Sequence, residues 1–131
     1  MEVRKIKTKD FYQTAKLWWK SHDFPIVHVS LLPVYVFVVS DNGDDLYSCF
    51  FYNTDSALAY LAYPISNIKI DKEKRNGALE YLFNEIEKHA RKDGYYLMYT
   101  TSYVPAVMQA LKKTGYNEGD VLVTQFFKEL G

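Results

Sequence analysis

The stretch VYVFVVSDNGDDLYSCFFYNTDSALAYLAYPI, residues 34–65, decides the fold class of this chain. Residues 34–40 are almost wholly apolar and rich in β-branched side chains, which favours a central β-strand. The Asn-Gly pair that follows is the strongest short signal for a tight hairpin, and residues 46–52 return as a second strand. After another polar turn, residues 57–65 give a third strand. The stretch therefore predicts an antiparallel meander of three strands.

Two elements are predicted before this meander. Charged and apolar residues alternate around Val3 and Ile6, which indicates a short opening strand. Thr8 is placed to cap a helix over residues 10–21. The apolar residues of that helix fall on one face: Phe11, Ala15, Trp18 and Trp19. Residues 22–33 contain two prolines and no clear period, which indicates a loop or an irregular turn.

The second half of the chain changes to a helical period. Apolar residues recur at helical spacing over a long amphipathic segment: Leu79, Leu82, Phe83, Ile86 and Ala90. That helix is expected to end at Gly94, and residues 95–101 follow as a strand. Pro105 suits the first turn of another helix, which Gly115 ends. A last strand is predicted over residues 121–127. The order predicts an α/β (α+β) fold with a mixed, mostly antiparallel central sheet and helices on both faces.

Composition narrows the class of protein. The chain has 131 residues, and 16 basic residues balance 16 acidic ones, which fits a single domain over residues 1–131. Without a basic stripe, neither DNA nor RNA is an expected partner. Cys49 is the single cysteine and is expected in the core, and no metal site is predicted. No apolar run could cross a bilayer and no signal-peptide core is visible, which predicts a soluble, cytoplasmic protein without membrane contact.

The order of elements resembles the fold of the GNAT superfamily of N-acetyltransferases. The local match is strongest over residues 88–116, where a helix ends in KDGY, a strand follows, and a second helix closes with LKKTGY. The chain also looks like a small branch of such proteins from bacteriophage genomes. The shared features are an aromatic-rich start and a Ser-Asn pair after the fourth strand, here Ser66-Asn67.

This resemblance implies acetyl-CoA in the gap between the fourth and fifth strands. Its pyrophosphate would lie on a loop of the type Arg/Gln-x-x-Gly-x-Gly/Ala, at the start of the long helix. One alignment puts Lys74 at the first position and Gly77 at the first glycine; a second puts Arg75 at the first position. In a third, Asp71 caps one continuous helix from residue 72 to 92. The residues implied to bind the cofactor are Ile68, Ile70, Lys74, Arg75, Asn76, Gly77 and Ala78.

The resemblance identifies no catalytic residue. Leu111 lies where many such enzymes have a tyrosine acid, and Val104 replaces a common asparagine. Tyr99 or Tyr103 could substitute, or both are packing and surface residues. A general acid must deliver a proton at the reacting centre, which leucine cannot do.

The acceptor pocket is expected at the end of the first helix, at Trp18, Trp19 and His22. Two adjacent tryptophans are not expected to point at the core together, so one should face a groove or cover the loop that follows. His22 is either a base near neutral pH or a capping or solvated residue.

Two functions stay open at this point. The first is an acetyl-CoA-dependent N-acetyltransferase whose acceptor is a small-molecule or protein amine. The second is a catalytically inactive binding or regulatory module of the same fold, encoded by a phage. The strand predicted over residues 121–127 would also permit a homodimer, because sheets of this type commonly pair through their last strands.

Overall fold

The computed structural model describes residues 1–131 and contains one five-stranded sheet. The elements in chain order are β1 (Glu2–Lys7), α1 (Thr8–Ser21), a 3₁₀ helix (Val29–Leu31), β2 (Tyr35–Asp41), β3 (Asp44–Tyr52), β4 (Leu58–Ser66), α2 (Lys72–Arg75), α3 (Ala78–Lys92), β5 (Leu97–Tyr99) and α4 (Pro105–Lys113). No helix is long and apolar enough to span a bilayer. No cluster of three or more histidine, cysteine or acidic side chains is arranged to hold a metal ion.

The sheet follows the order of the chain from β1 to β5. Neighbouring strands are antiparallel except for β4 and β5, which are parallel. Asn42 and Gly43 have φ angles of 50° and 83°, the left-handed pair that a tight hairpin between β2 and β3 requires. The predicted meander and the mixed, mostly antiparallel sheet are therefore confirmed.

Side chains alternate between the two faces of the sheet along each strand, so the buried residues form one core on each face. Phe37, Phe51 and Leu61 point to the face covered by α3 and α4. Val36 and Phe50 point to the opposite face, beneath α1. Helices on both faces were predicted and are confirmed. Cys49 is fully buried as expected, and burial raises the pKa of its thiol to about 12, so it stays protonated and unreactive.

Three predicted boundaries differ from the structure. Thr8 lies inside the first turn of α1, and its buried hydroxyl has no hydrogen-bond partner, so it is not the cap. The fifth strand covers Leu97–Tyr99 instead of residues 95–101. The continuous helix from residue 72 to 92 is wrong, because the chain turns at Gly77 between α2 and α3.

The predicted last strand is also wrong. Residues 121–127 have no strand partner and lie in a wholly exposed stretch from residue 117 to 131, here called the distal segment. The β-branched and aromatic residues of this stretch favour an extended backbone, but a strand also needs a neighbouring edge with which to pair. Within this chain, the only parallel pair ends at the three-residue β5, and nothing continues the sheet beyond it.

One histidine is held against the core of the α3 face. The His89 ring packs on the rings of Phe37 and Phe51, with centroids 5.0 and 5.4 Å away. Burial lowers the pKa of His89, and the charge of Lys5 on β1 acts in the same direction. Asp93, whose carboxylate lies 3.1 Å from His89 Nε2, opposes these effects without reversing them.

Stability should therefore fall in mild acid. The unfolded chain binds a proton on His89 near the usual pKa of about 6.5, whereas the folded chain resists it until lower pH. The free energy of unfolding is expected to be highest above this pH and to decrease as pH falls from about 7 to 5. His89→Gln should show a smaller decrease in melting temperature over this window. An equal decrease in His89→Gln and in the unsubstituted protein would contradict the assignment.

Candidate cofactor and acceptor site

β4 and β5 separate part of the way along β4. They pair only where Leu58 to Tyr60 face Leu97 to Tyr99, and Thr100 Oγ1 adds a last link by donating to the Leu61 carbonyl at 2.9 Å. β4 continues to Ser66, so the edge from Tyr63 onward faces no strand. We call this wedge the β4–β5 opening.

Backbone strain marks the start of the opening. Tyr63 has a φ of 53°, which is rare for a bulky residue, and the β3–β4 register shifts beside it. The Tyr63 ring is held edge-on by Trp19 and Phe50, with centroids 6.1 and 6.2 Å away. Pro64 follows, and it has no N–H to give to a neighbouring strand. The bulge therefore bends β4 away from β5 and keeps a tyrosine at the mouth of the wedge.

The loop after β4 is fixed to the neighbouring strand by Asn67. The Asn67 N–H donates to the Leu46 carbonyl at 2.9 Å, and its side-chain amide donates to the Asp45 carbonyl at 3.0 Å. Its side-chain oxygen accepts the N–H of Lys69 at 3.2 Å. These bonds hold the chain across the end of the sheet, so that it arrives at α3 from the side of the opening.

The start of α3 presents unpaired backbone donors. Gly77 lies just before the helix with a φ of 79°, a conformation that glycine adopts without strain. The first helical bond is from Tyr81 N–H to the Gly77 carbonyl at 3.0 Å, and no side chain caps the helix. The N–H groups of Ala78, Leu79 and Glu80 precede this bond and consequently have no acceptor within α3. Together with the helix dipole they favour an anion at this point.

Both predicted basic residues lie on the short helix α2, before this turn. Lys74 Nζ pairs with a side-chain oxygen of Asp44, and this bond raises the pKa of Lys74. Arg75 Nε donates to the Ile70 carbonyl at 3.0 Å, and its guanidinium lies 5.9 Å from the centre of the Tyr47 ring. The terminal nitrogens of Arg75 have no protein acceptor, so Arg75 can take an anion without breaking a contact. Lys74, in contrast, could bind an anion only while it also pairs with the Asp44 carboxylate.

The other residues implied to bind the cofactor are divided between surface and core. Ile68 and Asn76 are exposed, and Ile70 packs partly against the core of the α3 face. The side chain of Ala78 is fully buried, so only its backbone can meet a ligand. The structure thus brings these positions into one loop and helix start beside the opening.

Both tryptophans of α1 are buried, with 7% of Trp18 and 2% of Trp19 exposed. The expectation that two adjacent tryptophans could not share the core is wrong. Successive helical residues are about 100° apart, and the apolar stripe of α1 is wide enough to include both. Trp18 packs edge-on against Phe11, and Trp19 stacks on Phe50 at 5.9 Å between ring centroids. Neither side chain faces a groove, but the Trp19 ring packs edge-on against the Tyr63 ring.

His22 reaches the end of β4. Its Nε2 lies 3.1 Å from the Ser66 carbonyl oxygen and 3.0 Å from Ser66 Oγ, and its ring stacks on Phe24. Because a carbonyl only accepts, this contact is satisfied when Nε2 carries the proton, which leaves Nδ1 able to accept one. Of the three predicted pocket residues, His22 alone places a polar group beside the opening.

Tyrosines line the sheet face next to the opening. The rings of Tyr52, Tyr60 and Tyr99 form a ladder with centroid separations of 5.8 and 5.9 Å. Burial raises the pKa of Tyr52, and its neighbour Tyr63 acts in the same direction, so the phenol stays neutral. Tyr99, half exposed at the end of β5, is the tyrosine of this ladder with the most accessible ring.

The four positions considered for a general acid lie in different parts of the fold. Leu111 belongs to α4 and is buried in the core on the α3 face of the sheet, and Val104 precedes that helix. Tyr103 is exposed and makes no hydrogen bond, whereas Tyr99 stands at the opening. Tyr99 is therefore the better placed of the two tyrosines.

Sequence reasoning missed three features of this site: the bulge at Tyr63, the anchor at Asn67 and the link from Thr100. Pro64 was a usable signal for the first, because proline inside a strand is confined to edges and bulges. Asn67 could have been suspected because asparagine side chains often fix turns. Nothing in the sequence marked Thr100, whose partner is a backbone carbonyl on another strand.

Comparison with known proteins supports the fold. At the level of sequence, no protein-family model and no curated protein matches the chain. An aminoglycoside acetyltransferase from an uncultured soil metagenomic sample, solved with sisomicin, has a TM-score of 0.75 and 14% identity over 98% of this chain and 95% of its own. An aminoglycoside N-acetyltransferase solved with CoA has a TM-score of 0.65 and 10% identity, covering 97% of this chain and 99% of its own.

A predicted acetyltransferase from Clostridium acetobutylicum, solved with acetyl-CoA, gives a TM-score of 0.66 at 10% identity, over 95% of each chain. Similarity at these identities concerns the arrangement of the backbone, and function lies in the sites that a fold carries. The chain therefore has the fold of the GNAT acetyltransferases.

Proposed function

We propose that this protein binds acetyl-CoA and transfers its acetyl group to an amine. The observation that carries the proposal is the combination of two features at one edge of the sheet. β4 separates from β5 after Tyr60, and the loop and short helix that continue β4 lead to the start of α3, whose first N–H groups have no acceptor within that helix. An extended thioester arm could follow the free edge of β4 while its pyrophosphate lies on the helix start.

The residues present fit this ligand. The N–H groups of Ala78 and Leu79 and the guanidinium of Arg75 would meet the pyrophosphate, and the apolar surface of Ile70 would lie under the pantetheine arm. The free edge from Tyr63 to Ser66 offers backbone donors to the thioester oxygen, which stabilises negative charge developing there. Pro64 lacks an N–H, so these donors are limited to its neighbours.

The chemistry expected at the opening is a direct attack by the amine. Acetyl-CoA supplies an activated acetyl group as a thioester, and the products are the acetylated amine and the thiol of CoA. His22, with Nδ1 free, would accept the proton that the amine loses. Tyr99 is the candidate donor of a proton to the departing thiolate. Both assignments rest on where the side chains lie: His22 contacts Ser66 at the end of β4, and Tyr99 is the last residue of β5.

A small-molecule amine is the proposed acceptor. The structural neighbours solved with sisomicin or named for aminoglycosides act on amines of this kind. In this chain the opening is bordered by tyrosines, and Tyr63 and Tyr99 are both exposed there. Tyrosine faces attract ammonium groups, so the opening suits a cationic amine.

A second candidate function rests on Leu111. Its buried side chain occupies the position at which the resemblance implies a tyrosine acid, so a hydroxyl is missing there. A binding or regulatory module of the same fold is consistent with this observation. It would bind acetyl-CoA or CoA without releasing thiol in the presence of amines, or would bind neither.

A thermal-shift titration with acetyl-CoA, CoA and desulfo-CoA tests the proposal. A ligand that binds only the folded state raises stability by about 2.7 kcal/mol at a hundred times its Kd, so a saturable increase in melting temperature is expected. Arg75→Ala should weaken the response by about tenfold in apparent Kd, which corresponds to ~1.4 kcal/mol. Lys72→Ala, on the exposed side of the same short helix, is the matched control and should leave it unchanged.

Absence of a shift with all three ligands would rule out acyl-CoA binding. If a shift is seen, thiol release from acetyl-CoA with a panel of amines distinguishes an enzyme from an inactive module. His22→Ala should then reduce kcat and shift the pH dependence of kcat/KM while leaving the thermal shift with CoA intact.

A further inference from the structure

A hollow of about 330 Å³ lies where α1 begins, and none of its residues takes part in the proposed acetyl transfer. Lys7, Thr8 and Lys9 form one side of it. Val29 and residues 32–34, with the sequence LPV, form the other side. The two sides are joined by a hydrogen bond of 2.8 Å from the Thr8 N–H to the Val34 carbonyl. The hollow therefore has one cationic wall and one apolar wall, and we call it the α1 hollow.

Thr8 brings a buried hydroxyl without a partner to the cationic wall. Its side chain is only 3% exposed, and Oγ1 forms no hydrogen bond. Buried hydroxyls are nearly always hydrogen-bonded, so an exception calls for an explanation. The other buried hydroxyl without a partner belongs to Ser48, which lies within β3 and does not border the hollow. At the wall of a hollow, such a hydroxyl points to a ligand that supplies the missing acceptor.

The start of α1 adds further groups that favour an anion. No side chain caps this helix of 14 residues, so the N–H groups of Lys9 and Asp10 have no acceptor within it. The helix dipole places partial positive charge at the same point. Lys7 and Lys9 are exposed and form no ion pair. Asp10 is the only acidic residue of the first turn, and it does not line the hollow.

We propose that the α1 hollow binds a small organic carboxylate that carries a branched aliphatic or aromatic group. The carboxylate would accept hydrogen bonds from the Thr8 hydroxyl and the free N–H groups, while the two lysines balance its charge. Its apolar group would cover Val29 and Val34, which are exposed in the free chain. An inorganic anion would leave that wall uncovered. The volume lies at the lower end of the range for ligand sites, about 300–1,000 Å³, so the ligand is small.

An NMR titration of the backbone amides without acetyl-CoA gives the first test. The probes are isovalerate and phenylacetate, and acetate and inorganic phosphate serve for comparison. Saturable shifts are expected at residues 7–10 and 29–34. Isovalerate should bind at least about tenfold more tightly than acetate, because each buried CH₂ group strengthens binding by about fourfold.

Thr8→Val gives the second test, because valine keeps the shape of the side chain and removes the hydroxyl. The variant should have a higher melting temperature, since an unpaired buried hydroxyl is lost, and should bind isovalerate about fivefold to tenfold more weakly. Ser48→Ala removes the other unpaired hydroxyl and should leave this affinity unchanged.

The double variant Lys7→Gln/Lys9→Gln should also bind isovalerate more weakly. Lys16→Gln/Lys20→Gln, farther along the same helix, is the matched control and should bind it as the unsubstituted protein does. Both double variants change exposed or half-buried lysines, so the fold should be retained in each.

Three results would overturn the proposal. The first is that isovalerate and phenylacetate produce no saturable shifts around the hollow. The second is that acetate or phosphate binds there as tightly as isovalerate, which would indicate an adventitious ion only. The third is an unchanged affinity in Thr8→Val. Because acetyl-CoA is absent from these measurements, their outcome is independent of whether the protein transfers acetyl groups.

Discussion

Gly77→Ala is expected to weaken acetyl-CoA binding by about tenfold or more, equivalent to at least ~1.4 kcal/mol. A side chain at this position meets no atom within 4 Å, so the effect does not arise from a clash within the protein. It arises from the backbone, because φ is 79° and a residue with a Cβ loses roughly 1–2 kcal/mol in that conformation. Relief of the strain turns the N–H groups of Ala78 and Leu79 away from the direction in which they face the opening.

Gly94→Ala is the matched control at the other end of α3. Gly94 has a φ of 84°, and a Cβ added there also meets nothing within 4 Å. Both substitutions should therefore lower the free energy of unfolding to a similar extent, by about 1–2 kcal/mol. Only Gly77→Ala should change the Kd for acetyl-CoA measured by calorimetry. Equal affinities in the two variants would show that the start of α3 does not hold the pyrophosphate.

The strand meander could be predicted from the sequence because its signals are local. Residues 36–39 alternate between two buried faces, and Asn42-Gly43 suits the left-handed turn that follows. Gly77 was also identified from sequence, although the alignments left its role open. In the structure it separates α2 from α3, which a helical period could not show, because residues 71–77 contain no apolar side chain that would mark a helical face.

The parts of the site that depend on distant contacts could not be predicted. The opening exists because β5 stops at Tyr99 while β4 continues, and strand length is set by pairing that no local pattern records. The burial of Trp18 beside Trp19 depends on how wide a stripe the sheet and the following loop can cover. The distal segment is the converse case, in which residues 121–127 have a clear strand pattern and no partner within the chain.

Trp19→Ala is expected to lower the free energy of unfolding more than any other substitution proposed for this protein. Trp19 is 2% exposed, and its ring contacts those of Phe50, Tyr12 and Tyr63 with centroids 5.9 to 6.4 Å away. Removing a buried aromatic ring loses its transfer free energy and leaves a cavity, which together amount to about 3–5 kcal/mol. Domains of this size are stable by only about 5–15 kcal/mol, so the variant should unfold at far lower urea concentration.

Leu17→Ala provides the control on the same helix. Leu17 is 64% exposed and alanine is at least as good a helix former, so this variant should stay within about 0.5 kcal/mol of the unsubstituted protein. The comparison also decides what Trp19 does. A loss below about 1 kcal/mol would mean that its ring borders an open pocket, because truncating an exposed side chain leaves no cavity. A loss of the expected size makes Trp19 the support of the Tyr63 bulge, and Tyr63 should then lose its fixed position at the β4–β5 opening.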